Sequence, residues 1–121
     1  MAVTVLIVDD HAGFRSRARA LLQVGGFQVV GEAGDGTSAI AAGRDLHPDV
    51  ILLDIQLPDI SGFEVADRLL RDPVPPAIVL ISSRDAADYG DRLDQSGARG
   101  FIAKADLSGR ALTDVLARSD G

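Results

Sequence analysis

Three aspartates, a serine and a lysine each follow a short apolar run, and together these residue types can hold a cation and an oxyanion. Asp9 and Asp10 follow the first run, Asp54 the third, Ser82 the fourth and Lys104 the fifth. Carboxylates that lie close together raise one another's pKa unless a cation offsets their charge. An all-oxygen ligand set of this kind suits Mg²⁺, which needs few protein ligands and keeps several waters.

Lys104 is the single lysine among the 12 basic residues of the chain. Its ammonium is a compact point charge, whereas the guanidinium of arginine is a planar fork. A phosphoryl oxygen beside a metal ion is one partner that suits such a point charge. The alternative is a solvated surface lysine, and the position at a strand end favours the functional interpretation.

Composition limits the class of protein. The chain has 121 residues, 18 acidic and 12 basic, with a net charge of -6, which predicts one acidic domain. That charge argues against direct binding of nucleic acid or of an anionic membrane. The absence of cysteine excludes disulfides and cysteine-bound zinc. No apolar run is long enough to span a bilayer, and we expect a cytoplasmic protein.

Five apolar runs of strand length alternate with segments long enough for helices, which predicts a repeated β-α unit. Such alternation indicates a parallel sheet with helices on both faces. The runs lie at residues 3–8, 27–30, 50–53, 77–81 and 100–103.

The composition of the runs predicts their order in the sheet. Residues 5–8 and 50–53 are apolar throughout, as central strands buried on both faces require, whereas 27–30 and 100–103 suit the edges. The pattern predicts an α/β fold, a flavodoxin-like (βα)5 three-layer sandwich with strand order 2-1-3-4-5. In this order ligands bind at the carboxyl ends of the first and third strands.

Local patterns predict where some helices and turns begin. Ser61 and Glu64 match a capping box, with Ile60 and Val65 placed as its hydrophobic staple.

Three other segments are predicted to contain turns or a weak helix. The stretch 85–95 is the weakest predicted helix because Gly90 interrupts it. The glycines within 31–36 are interpreted as turn residues. The prolines at 73, 75 and 76 are expected to form the turn into the fourth strand.

Four segments, in order and at matching spacing, resemble the receiver domain of two-component response regulators. They are residues 6–11, 53–58 with Gly62, 80–83 and 100–104. The resemblance covers essentially the whole chain and implies one receiver domain over residues 1–121. Residues 8–15 and 30–33 resemble a subfamily that usually carries a C-terminal LuxR-type helix-turn-helix, which would be a DNA-binding output domain.

The resemblance implies that Asp54 accepts a phosphoryl group from a histidine kinase in a Mg²⁺-dependent reaction. Lys104 and the Ser82 hydroxyl would bind phosphoryl oxygens. The chain would be a stoichiometric acceptor that catalyses its own phosphorylation and dephosphorylation, and a homodimer is compatible with the resemblance. The resemblance implies that Asp10, Asp54 and the backbone carbonyl of Gln56 bind the metal directly, while Asp9 holds it through water.

Phe101 matches the aromatic switch position of the family, where the ring turns inward as Ser82 moves towards the phosphoryl group. A plain core residue is the alternative, and the sequence leaves both open. Gln56 and Arg84 occupy positions that tune the phosphoryl lifetime in the family. Ala105 stands where the family often has proline, so we expect a trans peptide bond between Lys104 and Ala105.

Residues on the first predicted helix have weaker interpretations. His11 is expected to be a solvated residue at the start of the helix. Arg15, Arg17 and Arg19 are either a solvated face or candidates for contact with the kinase.

Three other functions are alternatives to a phosphoacceptor. One is a protein-interaction module that works without phosphorylation. A haloacid-dehalogenase-type phosphatase is disfavoured because Ile55 and Gln56 follow Asp54 where a second acid is needed. A flavodoxin-like cofactor binder would be revealed by its colour.

Overall fold

A computed structural model describes residues 2–118, in which the predicted strands form one sheet. The strands are β1 Thr4–Val8, β2 Gln28–Ala33, β3 Val50–Asp54, β4 Ala77–Ser82 and β5 Gly100–Ala103. The helices are α1 Ala12–Val24, α2 Gly36–Leu46, α3 Gly62–Leu70, α4 Arg92–Gln95 and α5 Gly109–Arg118. All strand pairs are parallel, in the order β2-β1-β3-β4-β5, which confirms the predicted fold. Residues 1 and 119–121 of the predicted domain lie outside the described residues.

Side chains alternate between the two faces of the sheet and produce two cores. Val5 and Ile7 of β1 face a core that contains residues of α1 and α5. Leu6 and Val8 face a second core, which contains residues of α2 and α3. The central strands β1 and β3 are therefore buried on both sides, as their uninterrupted apolar sequences predict.

Strand β2 is longer than predicted, because residues 31–33 continue the strand and do not form a turn. Val5 pairs with Val29 but Leu6 pairs with Gly31, so the register shifts and Val30 bulges out of the ladder. A Cβ at residue 31 would come within 2.8 Å of a terminal methyl of Leu46, so the Leu46 side chain would have to shift to admit a larger residue. The ladder to β1 overrides the local turn preference of glycine.

The predicted start of α3 is correct in its main feature. The Ser61 hydroxyl accepts a hydrogen bond from the Glu64 N–H at 3.2 Å, while the Glu64 carboxylate pairs with Arg68 at 2.9 Å. Ile60 and Val65, the predicted staple, both pack close to Gly36 at the start of α2. These contacts fix the loop that follows β3.

The connection between β4 and β5 contains only short pieces of regular secondary structure. A short 3-10 turn at Ala86–Asp88 is followed by Gly90 in the left-handed region (φ 55°) and by the single turn of α4. This confirms that the helix predicted at 85–95 is weak. The prolines lie in the connection between α3 and β4, as expected.

The peptide bonds and the helix lengths bear on two further expectations. Among residues 2–118 every peptide bond is trans, including the one that joins Lys104 to Ala105. Within the same residues, no helix has the length and apolar character required to cross a bilayer.

Candidate functional site

The buried polar residues of the described chain lie at one edge of the sheet. Asp9 is 0% exposed, Asp54 3% and Ser82 0%, and they are the three polar or charged residues buried within residues 2–118. Asp9 directly follows β1, while Asp54 ends β3 and Ser82 ends β4. Since β3 lies between β1 and β4, the parallel sheet brings the carboxyl ends of all three strands together.

Lys104 bridges two of these residues. It follows β5, and its Nζ lies 2.5 Å from Asp9 Oδ2 and 3.0 Å from Asp54 Oδ2. The lysine side chain is only 15% exposed. The same ammonium lies 4.8 Å from the centroid of the Phe14 ring on α1. One positive charge therefore serves two buried carboxylates, which leaves this part of the site with a net negative charge.

The pKa values reflect this crowding. Burial raises the pKa of Asp54, although hydrogen bonds from the Gln56 N–H and from Lys104 oppose the rise. Burial acts to lower the pKa of Lys104, but the carboxylates of Asp9 and Asp54 outweigh it and the pKa is raised. The lysine therefore stays protonated at neutral pH, and a further cation would stabilise the ionised form of Asp54.

The two carboxylate oxygens of Asp9 have different partners. Its Oδ1 accepts the backbone N–H of His11 at 2.8 Å, whereas buried Oδ2 has the ion pair with Lys104 but no hydrogen bond of normal geometry. Ligand atoms of Asp9, Asp10 and His11 all lie within 4.8 Å of one another. A buried carboxylate oxygen with a second carboxylate nearby fits a hard divalent cation.

The predicted metal ligands are only partly grouped. Asp9 and Asp10 lie together, and the group includes His11, whose side chain is 73% exposed and contacts both aspartates. Asp54 lies outside that group and connects to it through Lys104. Gln56 follows β3, and its N–H donates to Asp54 Oδ1 at 3.0 Å.

Gly62 holds the loop after β3 against the strand end. Its N–H donates to the Ile55 carbonyl at 2.7 Å, and a Cβ at this position would overlap the carbonyl oxygen of Asp54. The loop that carries Gln56 can approach the strand only because residue 62 has no side chain. The Gly62 of the sequence pattern is thus explained by close backbone packing.

Ser82 is turned towards a residue that sequence reasoning missed. Its Oγ lies 2.6 Å from the hydroxyl of Tyr89 and accepts the Arg84 N–H at 3.0 Å. Phe101 is half-buried, and its ring centroid lies 6.3 Å from that of Tyr89. The sequence offered one signal for a role of Tyr89: it is the single tyrosine of the chain and lies seven residues after the predicted site serine. The side chains of Gln56 and Arg84 are exposed.

The three arginines of α1 do not all lie on one face, because residues two positions apart in a helix point in different directions. Arg15 Nε lies 3.1 Å and Arg19 Nε 2.8 Å from the carboxylate of Glu32, while Arg17 is exposed. Hydrogen bonds from Arg19 chiefly, and from Arg15, lower the pKa of Glu32. Arg15 also donates to the Asp9 carbonyl at 2.6 Å. Arg15 and Arg19 therefore form ion pairs with β2, and Arg15 also stabilises the loop that carries Asp9 and Asp10.

Comparisons with known proteins agree with this geometry. Residues 5–116 match the family described as the response regulator receiver domain. The chain is 42% identical over 101 residues to the nitrate/nitrite response regulator protein NarP of Escherichia coli. This match covers 83% of the present chain and 47% of NarP. It is 37% identical over 103 residues to the response regulator GacA of Pseudomonas aeruginosa, covering 84% of this chain and 48% of GacA.

A solved structure extends the similarity to nearly the whole chain. The signal receiver domain of the putative response regulator NarL from Mycobacterium tuberculosis superposes with a TM-score of 0.87 at 34% identity, covering 99% of this chain and 98% of that domain. The present chain spans about half the length of the curated relatives it matches.

Proposed function

The chain belongs to the response regulator receiver domain family of two-component signalling, and on that basis we propose that Asp54 is its phosphoacceptor. The observation that carries the proposal is the bridge from Lys104 to both Asp54 and Asp9. A buried carboxylate at a strand end, with an ammonium in contact, suits attack on phosphorus followed by neutralisation of the phosphoryl oxygens.

The donor is a phosphohistidine of a histidine kinase. A carboxylate oxygen of Asp54 attacks the phosphorus as the P–N bond breaks, so a P–O bond forms and the histidine nitrogen leaves with the electron pair. The Gln56 N–H fixes the other side of the carboxylate through Oδ1. Lys104 then transfers its hydrogen bond from Oδ2 to a phosphoryl oxygen, which reduces the negative charge that builds up there.

Asp10, Asp54 and the backbone carbonyl of Gln56 are the groups that would hold Mg²⁺ directly, and Asp9 would hold it through water. When bound, the ion supplies the positive charge that offsets the carboxylates and the incoming phosphoryl oxygens. The fit rests on the proximity of the Asp9 and Asp10 carboxylates, whose ligand atoms lie within 4.8 Å of each other. Arg15 keeps this loop in place through the Asp9 carbonyl.

Ser82 and Phe101 form the proposed switch. The Ser82 hydroxyl binds a phosphoryl oxygen after leaving its present partners, and the Phe101 ring moves with it. Gln56 and Arg84, exposed beside the site, are proposed to set how fast water hydrolyses the aspartyl phosphate. The chain promotes its own phosphorylation and dephosphorylation and is otherwise a stoichiometric acceptor.

The family and the relatives also suggest binding partners for this chain. We propose that the chain works in the cytoplasm and that a histidine kinase is its donor, with exposed Arg17 as a candidate contact. A relative in Pseudomonas aeruginosa is described as a putative transcriptional regulator and is 39% identical over 100 residues, which amount to 48% of its length. We therefore propose control of a C-terminal DNA-binding domain, and a homodimer as one form of the activated protein.

Intact-mass spectrometry tests the proposal. The chain is incubated with Mg²⁺ and a small acyl phosphate, or with a phosphorylated histidine kinase, beside Asp54→Asn and the matched control Asp59→Asn. One added phosphoryl group on the wild type and on the control, absent from Asp54→Asn and lost in chelator, supports the proposal. No adduct with either donor would instead favour an interaction module that works without phosphorylation.

A further inference from the structure

Tyr89 contacts the proposed switch serine through its hydroxyl. The phenol oxygen lies 2.6 Å from Ser82 Oγ, and Ser82 is fully buried. Tyr89 follows the 3-10 turn between β4 and α4, in the least regular part of the fold. The contact therefore joins a buried group at the end of β4 to a half-buried residue of an irregular segment.

The present partners of Ser82 hold its hydroxyl in one orientation. A serine hydroxyl has one donor hydrogen and two acceptor lone pairs. One lone pair receives the Arg84 N–H at 3.0 Å, and the bond to Tyr89 uses either the hydrogen or the other lone pair. Both partners come from the segment that follows β4. A hydroxyl that moves to a phosphoryl oxygen on Asp54 must leave them.

The ring of Tyr89 lies between two phenylalanines. Its centroid is 5.8 Å from the Phe63 ring on α3 and 6.3 Å from the Phe101 ring on β5. Phe101 has no hydroxyl, so it cannot bond to Ser82, and Tyr89 supplies that bond. A movement of Ser82 is therefore felt by Tyr89 directly and by Phe101 through ring packing.

The segment that carries Tyr89 has little regular secondary structure. Gly90 follows it in a left-handed conformation, and α4 has only four residues. Short helices gain little from their own hydrogen bonds, so local rearrangement of such a segment costs less than movement of a long helix.

We propose that Tyr89 is a positioning residue that holds the Ser82 hydroxyl away from the acceptor until Asp54 is phosphorylated. Phosphorylation exchanges the bond to Tyr89 for a bond from Ser82 to a phosphoryl oxygen. The released phenol and the Phe101 ring then repack, which changes the surface formed by the β4–α4 segment. The inference rests on the proposed function of Asp54, and it adds Tyr89 to the switch.

The bond itself can be tested without phosphorylation. Tyr89 is the single tyrosine of the chain, so 3-fluorotyrosine places one ¹⁹F label at residue 89. We expect Ser82→Ala to shift the ¹⁹F resonance, and Ser83→Ala, a change at the exposed neighbouring serine, to leave it in place. A resonance that does not respond to Ser82→Ala overturns the inference.

The kinetic test uses Tyr89→Phe, which keeps the ring and removes the hydroxyl. Releasing one hydrogen bond of ordinary strength should make phosphorylation by acyl phosphate roughly 2- to 12-fold faster. Phe63→Leu is the matched control, since it removes a ring beside Tyr89 and leaves the hydroxyl bond. An unchanged or slower rate in Tyr89→Phe, or an equal acceleration in Phe63→Leu, contradicts the inference.

The last arm separates this inference from the function on which it depends. In the labelled wild type, phosphorylation is followed by mass and by ¹⁹F NMR in one sample, and both signals should change together. A phosphoryl adduct with an unchanged ¹⁹F resonance refutes the role of Tyr89 and leaves Asp54 as the acceptor. If no adduct forms with acyl phosphate or with a phosphorylated kinase, the proposed function fails and the inference falls with it.

Discussion

Replacing Lys104 with methionine removes the positive charge between two buried carboxylates. Lys104 is 15% exposed and lies 2.5 Å from Asp9 and 3.0 Å from Asp54, whose side chains are 0% and 4% exposed. Removing one partner of a buried ion pair costs about 3–5 kcal/mol. The partial exposure of the lysine reduces this loss, so we expect Lys104→Met to lower the free energy of unfolding by about 2–4 kcal/mol near neutral pH.

Protonation limits the loss and gives it a pH dependence. The pKa of Asp54 is already raised above its ordinary value of 3.8, and it should rise further without Lys104. Between 3.8 and the raised value, the folded chain binds a proton that the unfolded chain does not. Stability therefore increases as pH falls through this window. The deficit of Lys104→Met should therefore shrink as the pH falls from neutral towards the raised pKa of Asp54.

The assay is thermal and urea unfolding followed by circular dichroism, with chelator present. A loss of about 2–4 kcal/mol corresponds to a melting temperature lower by roughly 8–16 °C for a domain of this size. Arg71→Met is the matched control, because its ion pair with Asp67 is exposed and should contribute less than about 1 kcal/mol.

The acceptor position supplies the complementary test. Asp54→Ala removes one carboxylate and leaves Asp9 paired with Lys104, so we expect a metal-free fold at least as stable as the wild type. Asp54→Ala should also reduce the damage caused by Lys104→Met. A Lys104→Met variant within about 0.5 kcal/mol of the wild type, or a clear loss of stability in Asp54→Ala, would refute the charge balance described here.

Three further predictions concern the loops around the site. Asp59 accepts hydrogen bonds from Gly36 and Thr37 at the start of α2, and the Gly36 N–H chiefly lowers its pKa. Asp59→Asn should therefore lower the melting temperature at neutral pH, and in a pH series the deficit should begin to shrink only below about pH 4, as the pH falls towards the lowered pKa. Gly62→Ala should lower the free energy of unfolding by about 2 kcal/mol or more in urea, because the added methyl overlaps the backbone at the end of β3; stability equal to the wild type would contradict that packing. Mg²⁺ should raise the melting temperature of the wild type more than that of Asp10→Asn, and an equal rise would exclude Asp10 as a ligand.

Much of the fold could be predicted because hydrophobic patterning reports burial directly. Uninterrupted apolar runs at β1 and β3 indicated central strands, and the register places them there. The length of β2 could not be predicted, because the preference of Gly31 for turns is a local property. Its strand conformation comes from pairing with Leu6 and from packing against Leu46, both distant in sequence.

The candidate site was predictable to a similar degree. Asp9, Asp54 and Lys104 follow predicted strands, so the topology alone brings them to one edge, and the structure places them in contact. The bond from Ser82 to Tyr89 was not predictable, because it depends on the path of an irregular segment that has little periodicity. The pairing of Arg15 with Glu32 was not predictable for a related reason, since it depends on the continuation of β2 beyond Gly31.

The identity of the phosphoacceptor is the central claim, and chemical mapping tests it most directly. After reaction with acyl phosphate and Mg²⁺, borohydride reduces an aspartyl phosphate to homoserine, and peptide sequencing by mass spectrometry locates the reduced residue. We predict homoserine at Asp54 and intact aspartate at Asp9 and Asp10. Homoserine at either of those two residues, with Asp54 unmodified, would contradict the assignment.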